Sequence, residues 1–176
     1  DVEDAIAALV AAGRGRRIDD QTALALDDVA VGVGRGRAAI LRPLEAATVR
    51  SAVRELAGAG IQSLAVCLIN SYRNAAHEQA IKKLVEEEFP QIDCTISSDV
   101  APEIREYERA STTVSNAYIR PLVRQYLSQL DRQLRDRGFT KHVHIMLSNG
   151  GISSTEVAQK IPIQLIESGP AAGALA

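Results

Sequence analysis

Between Pro43 and Gly60 the apolar residues Val49, Val53, Leu56 and Ala57 recur at helical spacing, and Gly58 and Gly60 close the segment. This predicts a helix followed by a turn. A continuous apolar run comes next, Leu64-Ala65-Val66-Cys67-Leu68-Ile69. It has strand length and no polar side, the pattern of a central parallel strand covered on both faces. Polar residues Asn70 to Asn74 lead into a second helix with the apolar stripe Ala76, Ala80, Ile81, Leu84 and Val85. Asn74 stands where it can cap this helix, Pro90 ends it, and His77 in its first turn reads as solvent-facing. Ile92, Cys94 and Ile96 then alternate with Asp93, Thr95 and Ser97, the period-two signature of a half-covered strand. Strand, helix, strand makes a βαβ unit, so the fold class is α/β, with a mostly parallel sheet and helices packed on it.

Beyond Pro102 the pattern is helical almost to Arg137, with a break or kink expected at Pro121, which has no N–H and crowds the preceding turn. Gly138 ends this long, Pro-interrupted segment, and Arg132, Arg135 and Arg137 sit where they complement its dipole. Val143, Ile145 and Leu147 predict another strand, and Ser148-Asn149-Gly150-Gly151 a tight loop leaving it. Ser153 with Glu156 fits a capping box for a short helix, and Ile163 to Ile166 reads as a last short strand running into Glu167-Ser168-Gly169-Pro170. Toward the N-terminus, Ile6, Leu9 and Val10 suggest a short helix over residues 1–12, and Val29 to Val33 a strand. Gly32, Gly34 and Gly36 alternate in a run that lacks the helix a dinucleotide fingerprint requires, so a hairpin or mobile connection is the better reading. There is no internal repeat, and Pro121 is a reasonable hinge between an early α/β lobe and a later segment.

Composition narrows the function classes. A formal charge of −2 leaves no basic excess for a phosphate backbone, and 3% aromatic residues with no Trp leave few stacking platforms, which argues against nucleic acid. The longest apolar run falls far short of the roughly 20 residues that span a bilayer, and neither a membrane nor a secretory leader is expected. Cys67 and Cys94 sit in apolar or alternating surroundings, the habit of reduced structural thiols in a cytoplasmic protein. The chain starts without Met and stops as residues 169–175 enter a helix, so an interior piece of a larger enzyme is expected, inactive by itself.

In open α/β sheets ligands bind beyond the carboxyl ends of strands, which here are Asn70 to Arg73, Ser97 to Asp99, Ser148 to Gly151 and Glu167 to Gly169. Glycines from Gly169 to Gly173 would either leave backbone N–H groups open to an anion or allow close helix packing. His142 and His144, two apart, would face one way on a strand as a metal pair does, but no third ligand is indicated. No metal site is predicted. The mixed-charge run Glu103 to Arg109 reads mainly as a solvated helix face.

Several of these segments together resemble the hydantoinase A, 5-oxoprolinase and acetone carboxylase family. The matching stretches are residues 65–78, including Asn70-Ser71-Tyr72-Arg73-Asn74-Ala75-Ala76-His77-Glu78, and residues 102–118, including Arg105-Glu106-Tyr107-Glu108-Arg109-Ala110-Ser111-Thr112-Thr113. Met146-Leu147-Ser148-Asn149-Gly150-Gly151 and Glu167-Ser168-Gly169-Pro170-Ala171-Ala172-Gly173 complete the colinear set. The resemblance implies a partial ribonuclease-H-like, actin-like ATPase fold. Residues 1–42 remain unassigned, 43–120 form the end of an N-terminal lobe, and 121–176 begin the hydantoinase A lobe, stopping before its second phosphate hairpin. It also implies ATP and Mg2+ in the intact protein, with neither bound to this piece, and ATP-driven opening of a cyclic amide such as a hydantoin or 5-oxoproline. Glu167 stands where related ATPases place an acidic residue near the Mg2+ shell. By the same resemblance Ser148, Asn149, Gly150, Gly151, Ser168, Gly169 and Gly173 would face the nucleotide or substrate. Arg105, Glu106, Ser111 and Thr112 would line the substrate or interlobe surface. A hydantoinase B-type subunit is an implied partner.

Two other readings compete: a non-catalytic binding or scaffold module on the same ATPase fold, and a metal-dependent cyclic amidohydrolase using His142 and His144. Lost neighbouring strands would expose sheet edges and apolar helix faces, so self-association is expected.

Overall fold

The computed structural model describes residues 21–24, 31–34, 37–40 and 43–175. The expected helix over residues 1–12, the start of the strand at Val29 and the last glycine of the run, Gly36, lie outside them. The described residues fall into two compact units divided between Ala117 and Tyr118.

The first unit is built on a three-stranded parallel sheet. Strand β1 (Gln21–Leu24) pairs with β4 (Ser63–Val66), which pairs with β5 (Asp93–Ile96), so the first half of the apolar run, Leu64 to Val66, lies in the middle strand, while Cys67 to Ile69 have already left it. Between β1 and β4 lies an antiparallel hairpin of β2 (Val31–Gly34) and β3 (Arg37–Ile40), in register from Val31 opposite Ile40 to Gly34 opposite Arg37. Gly32 and Gly34 thus belong to a hairpin and not to a phosphate loop.

Helix α1 (Ala46–Gly58) buries Val49 and Val53, and packs Leu56 and Ala57 against the same core. Gly60 ends it at φ 81, a conformation glycine adopts without a Cβ penalty, and its N–H reaches the Ala57 carbonyl at 3.0 Å. Helix α2 (Ala76–Glu88) buries Ile81, Leu84 and Val85 as predicted, but its stripe continues through His77 and Glu78, while Ala76 and Ala80 are exposed. His77 is therefore buried and not solvent-facing. Both helices cover one side of the sheet, that of Leu64 and Val66 on β4 and of Cys94 and Ile96 on β5, with Leu68 just beyond β4 and Ile92 just before β5 in the same core. Full burial of each such side chain contributes about 1.5–3 kcal/mol.

The opposite side carries Ser63, Thr95 and Ser97, all buried. The half-covered strand predicted at residues 92–97 is thus covered on both sides. The polar face meets helix α4 (Glu106–Asp136), where buried Arg109, Thr113 and Asn116 form a polar stripe at helical spacing, continued by Ala117. Between β5 and α4, Ser97–Val100 form a short helix, α3, where a loop was expected.

Helix α4 starts at Glu106, because Arg105 has φ 85 and leaves the helical region. It continues through Pro121 without the expected break. Proline removes the N–H that would have bonded the carbonyl of Ala117, and Ser63 Oγ supplies the missing donor at 2.7 Å. Gly138, at φ 84, closes the helix with bonds from Gly138 N to Arg135 O and from Phe139 N to Leu134 O, the paired closure of a Schellman motif.

The second unit, beyond Ala117, adds an antiparallel pair, β6 (His144–Met146) and β7 (Ile152–Ser154), with His144 opposite Ser154. Strand β7 was not predicted. It displaces the helix cap by one residue: Ser154, not Ser153, accepts from Val157 N at 3.4 Å at the start of α5 (Thr155–Lys160). The Ser154 hydroxyl also holds the Glu156 carboxyl below its usual range, with help from the Glu156 backbone N–H. The last predicted strand, Ile163 to Ile166, is instead a 3-10 helix, Pro162–Leu165. Proline at its first position presets the helical φ, and Ile166 N closes on Ile163 O at 3.3 Å. Helix α6 (Ser168–Leu175) follows.

Candidate functional site

The carboxyl ends of β4 and β5 release the chain side by side at Cys67-Leu68 and Ser97-Ser98, and a buried network ties the two exits together. Glu78, in the first turn of α2, is wholly buried. Its Oε1 accepts from Leu68 N at 2.8 Å and from Ser97 Oγ at 2.6 Å, and its Oε2 accepts from Ser98 N at 2.8 Å. Arg109 on α4, 1% exposed, reaches the same place from the other side of the sheet. Its Nη2 donates to Leu68 O at 2.8 Å and to Glu106 Oε1 at 3.3 Å. Its Nη1 donates to Ser71 Oγ and, at 3.1 Å, to Ser97 Oγ.

The hydroxyl protons fix the direction of the chain. Ser97 gives its only proton to Glu78, so at the 3.0 Å contact between Ser71 and Ser97 it is Ser71 that donates. Arg109, Ser71, Ser97 and Glu78 form a one-way series in which two hydroxyls bridge a buried cation to a buried anion. The Leu68 peptide is held at both ends, its N–H by the anion and its C=O by the cation. Removing Arg109 would leave Glu78 buried without its countercharge, whereas removing Glu78 would leave Arg109 only the half-buried Glu106.

Tyr72 stands beside this network, with the guanidinium carbons of Arg109 and Arg73 at 5.8 Å and 5.9 Å from its ring centre. The thiol of Cys67 is pushed above its ordinary value by burial, an effect the Arg109 charge and the Ser97 hydroxyl partly offset. Neither Cys67 nor Cys94 is in a disulfide.

Among the residues singled out in the sequence, Asn70 to Arg73, Ser97 to Asp99, Arg105 and Glu106 all belong to the first unit, and Glu106 joins the network through Arg109. Ser111 is exposed and Thr112 half-buried, one turn further along α4. The stretch Glu103 to Arg109 is not simply a solvated face, because Arg109 points inward. Arg109 and Glu78 were missed because charge on an amphipathic helix ordinarily marks its outer side. The signal available was their spacing, in register with the apolar stripe of α2 and the Thr113 and Asn116 row of α4.

The remaining candidates lie in the second unit. Leu147 N bonds Gly151 O at 2.8 Å, Asn149 Oδ1 accepts from Gly151 N at 2.9 Å, and Ser148 N bonds Gln164 O at 2.7 Å, so Ser148 to Gly151 is a tied turn. Glu167 is exposed at φ 66, directly before α6. Ser168, Gly169 and Gly173 lie within α6, and a Cβ at either glycine would meet nothing within 4 Å, so no close packing among the described residues demands them. His144 opens β6, but His142 precedes it, and both are exposed, so the two do not share a strand face as expected. Among the described residues no group of three or more His, Cys, Asp and Glu side chains could hold a metal. No described helix is long and apolar enough to cross a membrane.

Two family models match the chain, the hydantoinase/oxoprolinase N-terminal region over residues 9–89 and hydantoinase/oxoprolinase over residues 109–176. An uncharacterised protein of Methanocaldococcus jannaschii is 36% identical over 78% of the chain and 20% of its own length. The caprolactamase alpha subunit of Pseudomonas jessenii is 33% identical over 73% of the chain and 18% of its own length. Among solved structures, the ATP-dependent caprolactamase of Pseudomonas jessenii superposes with a TM-score of 0.73 at 27% identity, covering 96% of this chain and 26% of that one. Nucleotide-free acetone carboxylase does so with a TM-score of 0.70 at 28% identity, covering 80% and 20%. The chain belongs to the hydantoinase/oxoprolinase family. It spans between about a tenth and a fifth of the length of the curated relatives it matches.

Proposed function

We propose that the chain is one part of an ATP-dependent enzyme that opens cyclic amides of the hydantoin or 5-oxoproline type. The observation that carries this reading is the 33% identity to a caprolactamase alpha subunit, a ring-amide enzyme by name, across 73% of the chain. Hydrolysis of an unstrained ring amide can be uphill, and coupling to ATP supplies the missing free energy.

In this reading residues 43–120 end the N-terminal lobe of an actin-like ATPase fold and residues 121–176 begin the next lobe. ATP and Mg2+ are held by the intact protein with elements outside this chain, so the chain alone is inactive. Glu167 is assigned to the surroundings of the metal. Ser148, Asn149, Gly150, Gly151, Ser168, Gly169 and Gly173 are assigned to the nucleotide or substrate cleft, and Arg105, Glu106, Ser111 and Thr112 to the substrate or interlobe surface. A second subunit is a further element, supported by a relative whose name makes it a subunit. Two cysteines outside any disulfide suit a cytoplasmic location.

The test is ADP release by the full-length enzyme with Mg·ATP and a panel of five- to seven-membered cyclic amides. Release that depends on a ring amide and yields the opened acid supports the reading. Release that depends instead on a ketone and bicarbonate would move the protein to carboxylation, the reaction named for the acetone carboxylase structure.

A further inference from the structure

The outer side of α4 carries a row of side chains that begins at Glu108 and ends at Arg132, taken by steps of three and four residues in turn. Steps of that kind stay on one side of a helix, here the side opposite buried Arg109, Thr113, Asn116 and Leu127. Every member of the row is exposed except Ser115, which is half-buried. A three-four spacing kept up over several turns is the repeat by which two long helices pack side by side.

Read from its two ends inward, the row is complementary to itself. Glu108 at one end answers Arg132 at the other, Ser111 answers Gln129, and Ser115 answers Gln125. Tyr118 and Leu122 meet in the middle. The members of these pairs stand 12, 9, 5 and 2 positions on either side of residue 120. Two α4 helices laid antiparallel about that residue therefore set acid against base, hydroxyl against side-chain amide twice, and phenol against leucine, and a two-fold axis makes each contact twice. A parallel pair in register would set Glu108 against Glu108 and Arg132 against Arg132, and like charges repel.

The apolar centre is small, Tyr118 and Leu122 from each copy with exposed Tyr126 beside them. It supplies attraction, while the polar and charged layers fix direction and register. Glu108 lies 3.8 Å from Arg105 of its own chain, with both side chains exposed. A surface contact of that length is weak and leaves the carboxylate open to a second guanidinium.

We propose that the outer face of α4 is the docking surface for a second copy of this chain. The two helices run antiparallel, Tyr118 of each against Leu122 of the other and Glu108 of each against Arg132 of the other.

The experiment measures the mass of the full-length protein by light scattering over a range of concentrations at low ionic strength, for the wild type, Glu108→Arg, Arg132→Glu and an equimolar mixture of the two variants. In either variant alone both charged contacts become repulsive. In the mixture each variant meets the opposite charge on the other, so both contacts are attractive again. The expected result is a roughly tenfold or larger rise in the Kd for self-association of each variant, and a return of the mixture to within about threefold of the wild type. A wild type that is monomeric at every concentration overturns the proposal, as do variants that associate like the wild type or a mixture that fails to recover. Unchanged mass with a lowered melting temperature would mean that the rest of the full-length chain covers the row. Loss of a different subunit with self-association intact would mean that another protein does, and either result also overturns the proposal. Because the readout is mass, the outcome is independent of the ring-amide reading.

Discussion

Ser63 Oγ donates to the carbonyl of Ala117 at 2.7 Å, and Ala117 is the residue whose helical partner Pro121 removes. A serine on the central strand thus completes a helix that sequence rules would break. Leaving that carbonyl unpaired at a buried position costs about 1–3 kcal/mol. Ser63→Ala should therefore destabilise the fold by that amount, read as a shift of the urea midpoint. In a Pro121→Ala background residue 121 regains its N–H, so the cost of Ser63→Ala should fall by at least half. Equal costs in the two backgrounds would show that the hydroxyl is not replacing the lost donor.

Burial pushes the His77 imidazole below its ordinary value of 6.5. The native state thus favours neutral histidine, while the unfolded chain takes up a proton as soon as pH falls through about 6.5. Stability from this residue is complete above that value, declines as pH drops toward the lowered native value, and levels off below it. Melting temperature between about pH 7.5 and 5 should fall less steeply for His77→Leu than for the wild type. Parallel curves would contradict a neutral buried His77.

Cys67, raised by burial, should be a slow nucleophile. Iodoacetamide at about pH 8 should modify it well below the rate of an unfolded control, followed by peptide mass spectrometry. Modification at the control rate would mean that the strand exit is open.

Tyr118, Leu122 and Tyr126 are spaced by four along α4 and are 49%, 70% and 63% exposed. One helix face with three large apolar side chains in water favours association. Light scattering of the 176-residue chain should show concentration-dependent oligomers, reduced by Leu122→Glu with Tyr126→Glu. A monomer throughout would mean this face is tolerated in solvent.

Much of the fold could be read from side-chain period alone. The uninterrupted run at residues 64–69 marks the central strand, the Val49 and Val53 spacing marks α1, and Gly138 marks the end of α4, because each signal follows from local sterics or simple burial. Errors arose where a local rule was overridden by a partner distant in sequence. Pro121 is rescued by Ser63, 58 positions earlier. Thr95 and Ser97 look solvent-facing, yet α4 covers them with polar side chains of its own. The short apolar stretch at residues 163–166 has no period long enough to separate strand from 3-10 helix. For the site, the strand ends were legible as a location. The charged pair that organises them was not read, because charge on an amphipathic helix ordinarily marks its outer side, and only the spacing of Glu78 and Arg109 sets them on the inner one.

Mg·ATP turnover by the full-length enzyme in the presence and absence of a ring amide tests the account most directly. Phosphate release stoichiometric with ring opening, and negligible without the ring, is the predicted result. ATP hydrolysis indifferent to every cyclic amide, or no hydrolysis at all, would contradict it.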